Sequence, residues 1–351
     1  MRILRQYVNS YGSGLNSMGN IFRKIKNFYN ADKLYLVFSL LKEKNGNRVP
    51  EMLRSFSQKR MLKKHELFED TDFFMLDLKT PDRMNQCVHP DLVKLQDGSY
   101  LMAITPYPFG NDKYEQPVIF KSTNLKSWTY LSGPIDQERI GEKNHLSDPS
   151  ILQMPSGRLY CYYRECLYDE AIPTTNIYRM DSESGIHWEN KKCLITEAMD
   201  HFDVISPSFR WDESRGIHCY FCLKQNGQMK LMYSDRENIE KENLKEIILK
   251  DHIPEGKMLW HVSHICQEEK DVLLLTLSEG FGGENSELYV GEVSHLTFEL
   301  SNLRKIKIKS PVSQIALEYR ATGIVEANRY FIIDSVMFED RTWGCIAFEE
   351  R

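Results

Sequence analysis

"VHPDLVKLQDGSYLMAITPY", Val88–Tyr107, decides the fold. A short apolar segment, a turn around Asp-Gly-Ser and a second apolar segment read as two antiparallel strands. The layout returns four times, as "LSDPSILQMPSGRLYCYYREC" from Leu146, "ISPSFRWDESRGIHCYFCLK" from Ile205, "WHVSHICQEEKDVLLLTLSE" from Trp260 and "YRATGIVEANRYFIIDSVM" from Tyr319. Pro90, Pro149, Pro207, Val262 and Ala321 hold equivalent places, at steps of 59, 58, 55 and 59 residues. A period of that length with about four strands per unit is the signature of a β-propeller. Five units predict an all-β, five-bladed propeller.

The outer strands fit the same unit. "PVIFKS", "TNIYRM", "QMKLMYS" and "ELYVGEV" are third strands, each followed by a polar turn and a large apolar residue that staples the outer hairpin. "DSESGIHW" is one such turn and is read as a folding element. The fifth unit ends one strand short, and "DFFMLDL", Asp72–Leu78, is placed to supply it. Closing the ring with a strand from the other end of the chain removes an exposed sheet edge.

Charge divides the chain. Residues 1–65 carry a net +11 and the remainder a net −16, so a basic helical N-terminal arm (1–65) is expected to precede an acidic propeller (66–351). "NIFRKIKNFYNADKLYLVFSLLKEKNG" and "PEMLRSFSQKRMLKKHELFE" have helical periodicity. A helical cap on the propeller is expected in preference to contact with a membrane surface. The overall charge of −5 gives no field for nucleic acid. The N-terminus has no apolar secretory core, and the longest apolar run, Leu34–Leu41, is too short to cross a bilayer, so a cytoplasmic location is expected.

Eight cysteines show no framework spacing. Cys219 and Cys222 lie three apart on a strand and face opposite ways, so neither a metal clip nor any other metal or cofactor is expected. "SEGFGGENS", Ser278–Ser286, has no following helix pattern and is not read as a phosphate cradle.

In a propeller the first strands of all blades line one channel. Just before the anchor positions stand His89, Asp148, Ser206, His261 and Arg320; just after them stand Asp91, Ser150, Ser208, Ser263 and Thr322. Residues two apart on a strand share a face, so both sets are expected to look inward. Glu165 and Arg164 end the second strand of the second unit, and Tyr107, Trp260 and Tyr319 add flat apolar faces. Carboxylates for acid/base chemistry, arginines for an anionic group and aromatic rings for a sugar face point to a carbohydrate pocket.

These motifs carry a family resemblance over about residues 66–351. "DGSYLMAITPYP", "KSTNLKSW" and "SDPS" resemble text of the five-bladed propeller glycosidases: arabinanases and β-xylosidases (glycoside hydrolase family 43), invertases and levansucrases. "TPYPFGNDKYEQP" and "YRATGIV" resemble a divergent, glycosidase-like branch. The resemblance implies a general base before the first Pro, a carboxylate that orients the acid before the second, and a general acid in the third blade. Asp148 matches the second role; His89 and Ser206 stand in the other two. Asp91 is therefore expected as base and Glu165 as acid of an inverting reaction, with His89, Tyr107, Arg164, Ser206, Trp260, His261, Tyr319 and Arg320 binding an oligo- or polysaccharide that carries an acidic sugar. A non-catalytic carbohydrate-binding propeller, or a phosphorylase holding phosphate on Arg164, His261 and Arg320, is the alternative.

Overall fold

Each sequence repeat folds as one antiparallel sheet in the computed structural model, which describes residues 48–68, 73–138, 144–281, 283–308 and 315–350. In chain order the elements begin with helix α1 (Arg48–Phe68) and the short strand β1 (Phe74–Met75). Blade 1 is β2 (Cys87–Lys94), β3 (Tyr100–Pro106), β4 (Val118–Ser122) and β5 (Thr129–Ser132). Blade 2 is β6 (His145–Gln153), β7 (Leu159–Leu167), β8 (Thr174–Ser182) and β9 (Glu189–Ala198). Blade 3 is β10 (Asp203–Asp212), β11 (Gly216–Gln225), β12 (Gln228–Ser234) and β13 (Lys245–Glu246). β14 (Ile248–Leu249) runs parallel to the outer strand of blade 4, which is β15 (Met258–Cys266), β16 (Lys270–Ser278), β17 (Glu287–Ser294) and β18 (Glu299–Lys305). Blade 5 is β19 (Ile315–Glu326), β20 (Arg329–Phe338), β21 (Trp343–Glu350) and, as its outer strand, β1.

The five-bladed propeller and its closure are thus those expected from the repeat. Phe74 pairs with Ala347 and Met75 with Ile346, so the ring is clasped by a strand from before the first blade.

Alternation makes both faces of every blade apolar, and the core lies between blades. Tyr162 and Ile177 of blade 2 pack against Phe209 and Phe221 of blade 3. Tyr220 and Cys222 of blade 3 pack against Leu273 and Leu275 of blade 4. Cys219 and Cys222 enter different layers, as residues three apart on a strand must, and all eight cysteines are free. Trp128 is buried in the blade 1 core cluster with Leu125, and its indole Nε1 donates to Leu125 O at 2.9 Å, so the "NLKSW" turn staples its hairpin.

The second basic helix forms and the compact unit that contains the propeller spans Arg54–Arg351. Within that unit Ser57 Oγ donates to Met84 O, Gln58 Nε2 to Arg83 O and Lys64 Nζ to the Asp340 carboxylate. Met61 is buried with Met75, Phe338 and Phe348. The other compact unit is Met1–Leu53, of which only the start of α1 is described; the expected first helix lies outside the described residues. Among the described residues no helix is long and apolar enough to cross a membrane.

Candidate active site

The inner strands are not regular. Ladder registers slip between Val88 and Asp91, between Ser147 and Ser150, and between Ile205 and Ser208. At each slip the residue before the proline is left-handed: His89 at φ 57°, Asp148 at 50° and Ser206 at 54°. Left-handed backbone is costly for a residue with a Cβ, about 1–3 kcal/mol each, and such positions cluster where a fold aims a side chain for use.

The bulge also separates the two polar sets that simple alternation places together. Residues after the anchor positions lace neighbouring blades instead of facing a pocket. Asp91 accepts from Ile151 N at 2.7 Å and is gripped by Arg210 through Nη1 at 2.9 Å and Nη2 at 2.8 Å. Ser150 Oγ accepts from Phe209 N, Ser208 Oγ meets His264 Nδ1, Ser263 Oγ donates to Ala321 O, and Thr322 Oγ1 accepts from Leu92 N. These contacts run from blade 1 through every blade and back to blade 1. Asp91, expected as base, is instead found with its carboxylate bound on both oxygens within this ring. Ser206 Oγ is likewise spent, donating to Val262 O at 3.1 Å.

The residues before the anchors do meet. Asp148 is 2% exposed, and its Oδ1 lies 3.2 Å from Arg320 Nη1, 3.6 Å from His261 Nδ1 and 3.7 Å from His89 Nε2. Its Oδ2 lies 3.8 Å from Arg164 Nη1 and accepts from Ser147 Oγ. Burial alone would raise its pKa, but the two imidazoles and two guanidiniums outweigh burial and hold it well below the carboxylate range. Burial pushes His261 well below 6.5 and His89 down to about 3, so both rings are neutral in neutral solution. His261 Nε2 has no hydrogen-bond partner, nor have Nε and Nη2 of the fully buried Arg320. His89, Asp148 and His261 offer three ligand atoms within 4.8 Å of one another, but Arg320 already occupies the shared Oδ1 with its positive charge.

Glu165 does not join Asp148 as expected. Neighbours on a strand face opposite ways, and Arg164 takes the Asp148 side, donating also to Asp203 Oδ1 at 2.6 Å. Glu165 Oε2 accepts from Asn176 Nδ2 at 2.7 Å instead.

The carboxyl group that does sit within reach of the Asp148 field is Glu115, in the "TPYPFGNDKYEQP" loop between β3 and β4. It is buried, its Oε2 has no hydrogen-bond partner, and the nearest cationic candidate is His145 Nε2 at 3.8 Å. Burial, then the charges of Asp112 and Asp148, raise it well above 4.5, with Arg164 opposing. Glu115 and Asp148 are thus displaced in opposite directions, Glu115 upward and Asp148 downward. Sequence reasoning passed over Glu115 because it lies outside the repeat; the quoted loop was its only signal.

Aromatic rings surround the cluster. Tyr319 lies 4.6 Å from His261 and 5.1 Å from Trp343, and Tyr107 lies 5.3 Å from Trp343, as ring centroids. Trp260 lies 5.3 Å from His261. Tyr107, Trp260 and Tyr319 remain partly exposed. Gly283, at φ +77°, folds the β16–β17 loop onto Trp260 and Tyr319: a Cβ there would lie 3.2 Å and 3.1 Å from them.

No family profile and no curated protein matches the sequence. Solved structures do match in shape. An N-acetylgalactosamine deacetylase from F. plautii, solved with blood group B trisaccharide, superposes with a TM-score of 0.60 at 15% identity, over 76% of this chain and 90% of that one. A family 43 endo-arabinanase from Bacillus licheniformis gives 0.55 at 14% identity, over 78% and 96%. An α-L-arabinanase from Cellvibrio cellulosa, solved with arabinohexaose, gives 0.52 at 12% identity, over 74% and 90%. The chain is a five-bladed propeller that shares its fold with these arabinanases.

Proposed function

We propose that this propeller hydrolyses a glycosidic bond in an oligosaccharide, with Glu115 as proton donor and His261 as the base that activates water. What carries the reading is the opposite displacement of two buried carboxyl groups: burial and the charges of Asp112 and Asp148 raise Glu115, while two imidazoles and two guanidiniums overcome burial to lower Asp148. Environments that push paired titratable groups apart mark acid and base roles. In the reaction, water oxygen attacks the anomeric carbon and gives its proton to His261 Nε2. Glu115 gives its proton to the departing glycosidic oxygen. Asp148 orients His261 through Nδ1 and stabilises the imidazolium as it forms, in the manner of a carboxylate–histidine pair. The unpaired guanidinium nitrogens of Arg320 suit an acidic substituent on the sugar. Tyr107, Trp260 and Tyr319 offer faces for the ring. Sugar ligands in the superposing deacetylase and arabinanase support a carbohydrate in this pocket.

A panel of aryl glycosides of neutral and uronic sugars tests the reading. Glu115→Gln is expected to lower turnover on poor leaving groups by roughly 10²–10⁴-fold and on dinitrophenyl leaving groups far less, because the latter need no acid. Equal losses on both would remove Glu115 from the acid role. Sugar binding without cleavage would instead identify a binding module, phosphate-dependent cleavage a phosphorylase, and acetate release from N-acetylated sugars a deacetylase.

A further inference from the structure

A second cluster of chemistry-bearing side chains lies away from this pocket, between blades 3 and 4. His264 and Cys266 are two apart on β15 and share a face; His218 reaches them from β11. His218 Nε2 lies 3.2 Å from His264 Nε2 and 3.5 Å from Cys266 Sγ, and all three atoms fall within 4.8 Å of one another. Both histidines are fully buried and Cys266 is partly exposed.

We propose that His218, His264 and Cys266 bind a zinc-class divalent cation that bridges blades 3 and 4. Zinc bonds of about 2.0–2.1 Å to nitrogen and about 2.3 Å to sulfur, at tetrahedral angles, place ligand atoms about 3.3–3.6 Å apart. The two short separations here match those edges without any movement. Second contacts fix the ring orientations. His218 Nδ1 donates to Gly216 O at 3.1 Å, with Asp212 Oδ2 3.7 Å away, so the lone pair is on Nε2 and points at the cluster. His264 Nδ1 faces Ser208 Oγ at 3.0 Å, which also accepts from His264 N. A carbonyl, carboxylate or hydroxyl behind a ligating imidazole is the usual outer support of such a site. Nitrogen and thiolate ligands select zinc or cobalt over calcium or magnesium.

Without metal, one imidazole N–H can bond the other ring directly. With metal, His264 must carry its proton on Nδ1, donating to Ser208, and the Cys266 thiol must lose its proton. Metal binding therefore releases one proton to solvent. The fourth position, on the exposed side of Cys266, is left for water. The site is independent of the hydrolytic reading, since none of its ligands touches Asp148 or Glu115.

Chelator-stripped full-length protein titrated with Co²⁺ decides the matter. One equivalent is expected to bind with a thiolate-to-cobalt band in the near ultraviolet, which Zn²⁺ displaces, and to raise Tm by a few degrees. Cys266→Ser should abolish the band, and His218→Gln should weaken Co²⁺ binding at least tenfold. His261→Gln should change neither. Binding without a thiolate band, a band that survives Cys266→Ser, or a loss specific to His261→Gln would each overturn the assignment. If either blade-interface variant unfolds, absence of the band in stripped wild-type protein overturns it just as directly.

Discussion

The Asp148 charge is part of the electrostatic environment of Glu115, so a change at Asp148 should be read at Glu115. On the proposed mechanism, turnover needs neutral imidazole and protonated Glu115. It should therefore rise as pH climbs past the depressed histidine pKa values, reach a plateau, and fall as Glu115 loses its proton. Asp148→Asn removes a negative charge that raises both the imidazole and the Glu115 pKa. Both limbs of the profile should move to lower pH, with turnover reduced by at least 10²-fold; a pH–rate series on the variant reads both effects. Stability carries its own signature. His89 is depressed to about 3 and His145 and His218 to about 4. The unfolded chain binds those protons first, so the contribution is fully present above pH 6.5 and is lost as pH falls from there through the folded values. Urea midpoints measured between pH 7 and pH 4 should decline accordingly. At this scale the sequence was partly legible. Asp148, His89, His261 and Arg320 came from equivalent repeat positions and do converge. Asp91 did not, because a one-residue bulge breaks the two-residue alternation on which its placement rested. Glu115 had no repeat position, and its acidity comes from charges that other segments bring to it.

The inner strands show how elements divide their labour. The bulge turns one residue to the axis and sends its neighbour but one to the next blade. Asp91 ties blade 1 to blades 2 and 3. Asp91→Ala should destabilise the propeller by about 3–5 kcal/mol, the cost of stranding a buried partner charge on Arg210, while the folded fraction keeps its turnover. Denaturant unfolding and a specific-activity measurement on the same sample separate the two effects. α1 offers a second case. Met61 is 4% exposed against Met75, Phe338 and Phe348, so Met61→Ala should cost about 2–5 kcal/mol although the helix belongs to no blade. The helix itself could be read from Pro50 and its basic periodicity. That it caps the propeller was expected too; the loop carbonyls at Arg83 and Met84 that fix its docking are announced by no periodicity.

For the whole molecule the repeat was readable because five units of nearly equal length bury the same kind of surface between neighbours. Closure was readable too, because the fifth unit lacked a strand and Asp72–Leu78 had the right pattern. Removing Phe73–Leu78 should leave the blades formed but uncover the edge of β21, and size-exclusion chromatography should then show self-association. The same clasp constrains how the protein is made. β1 leaves the ribosome before any blade exists, yet its partner, Trp343–Glu350, follows every other strand of the propeller. During synthesis the first strand has nowhere to pair, and each finished blade waits with one apolar face uncovered. The ring can shut only once the fifth blade has emerged, in a single step that joins the propeller's first strand to its last.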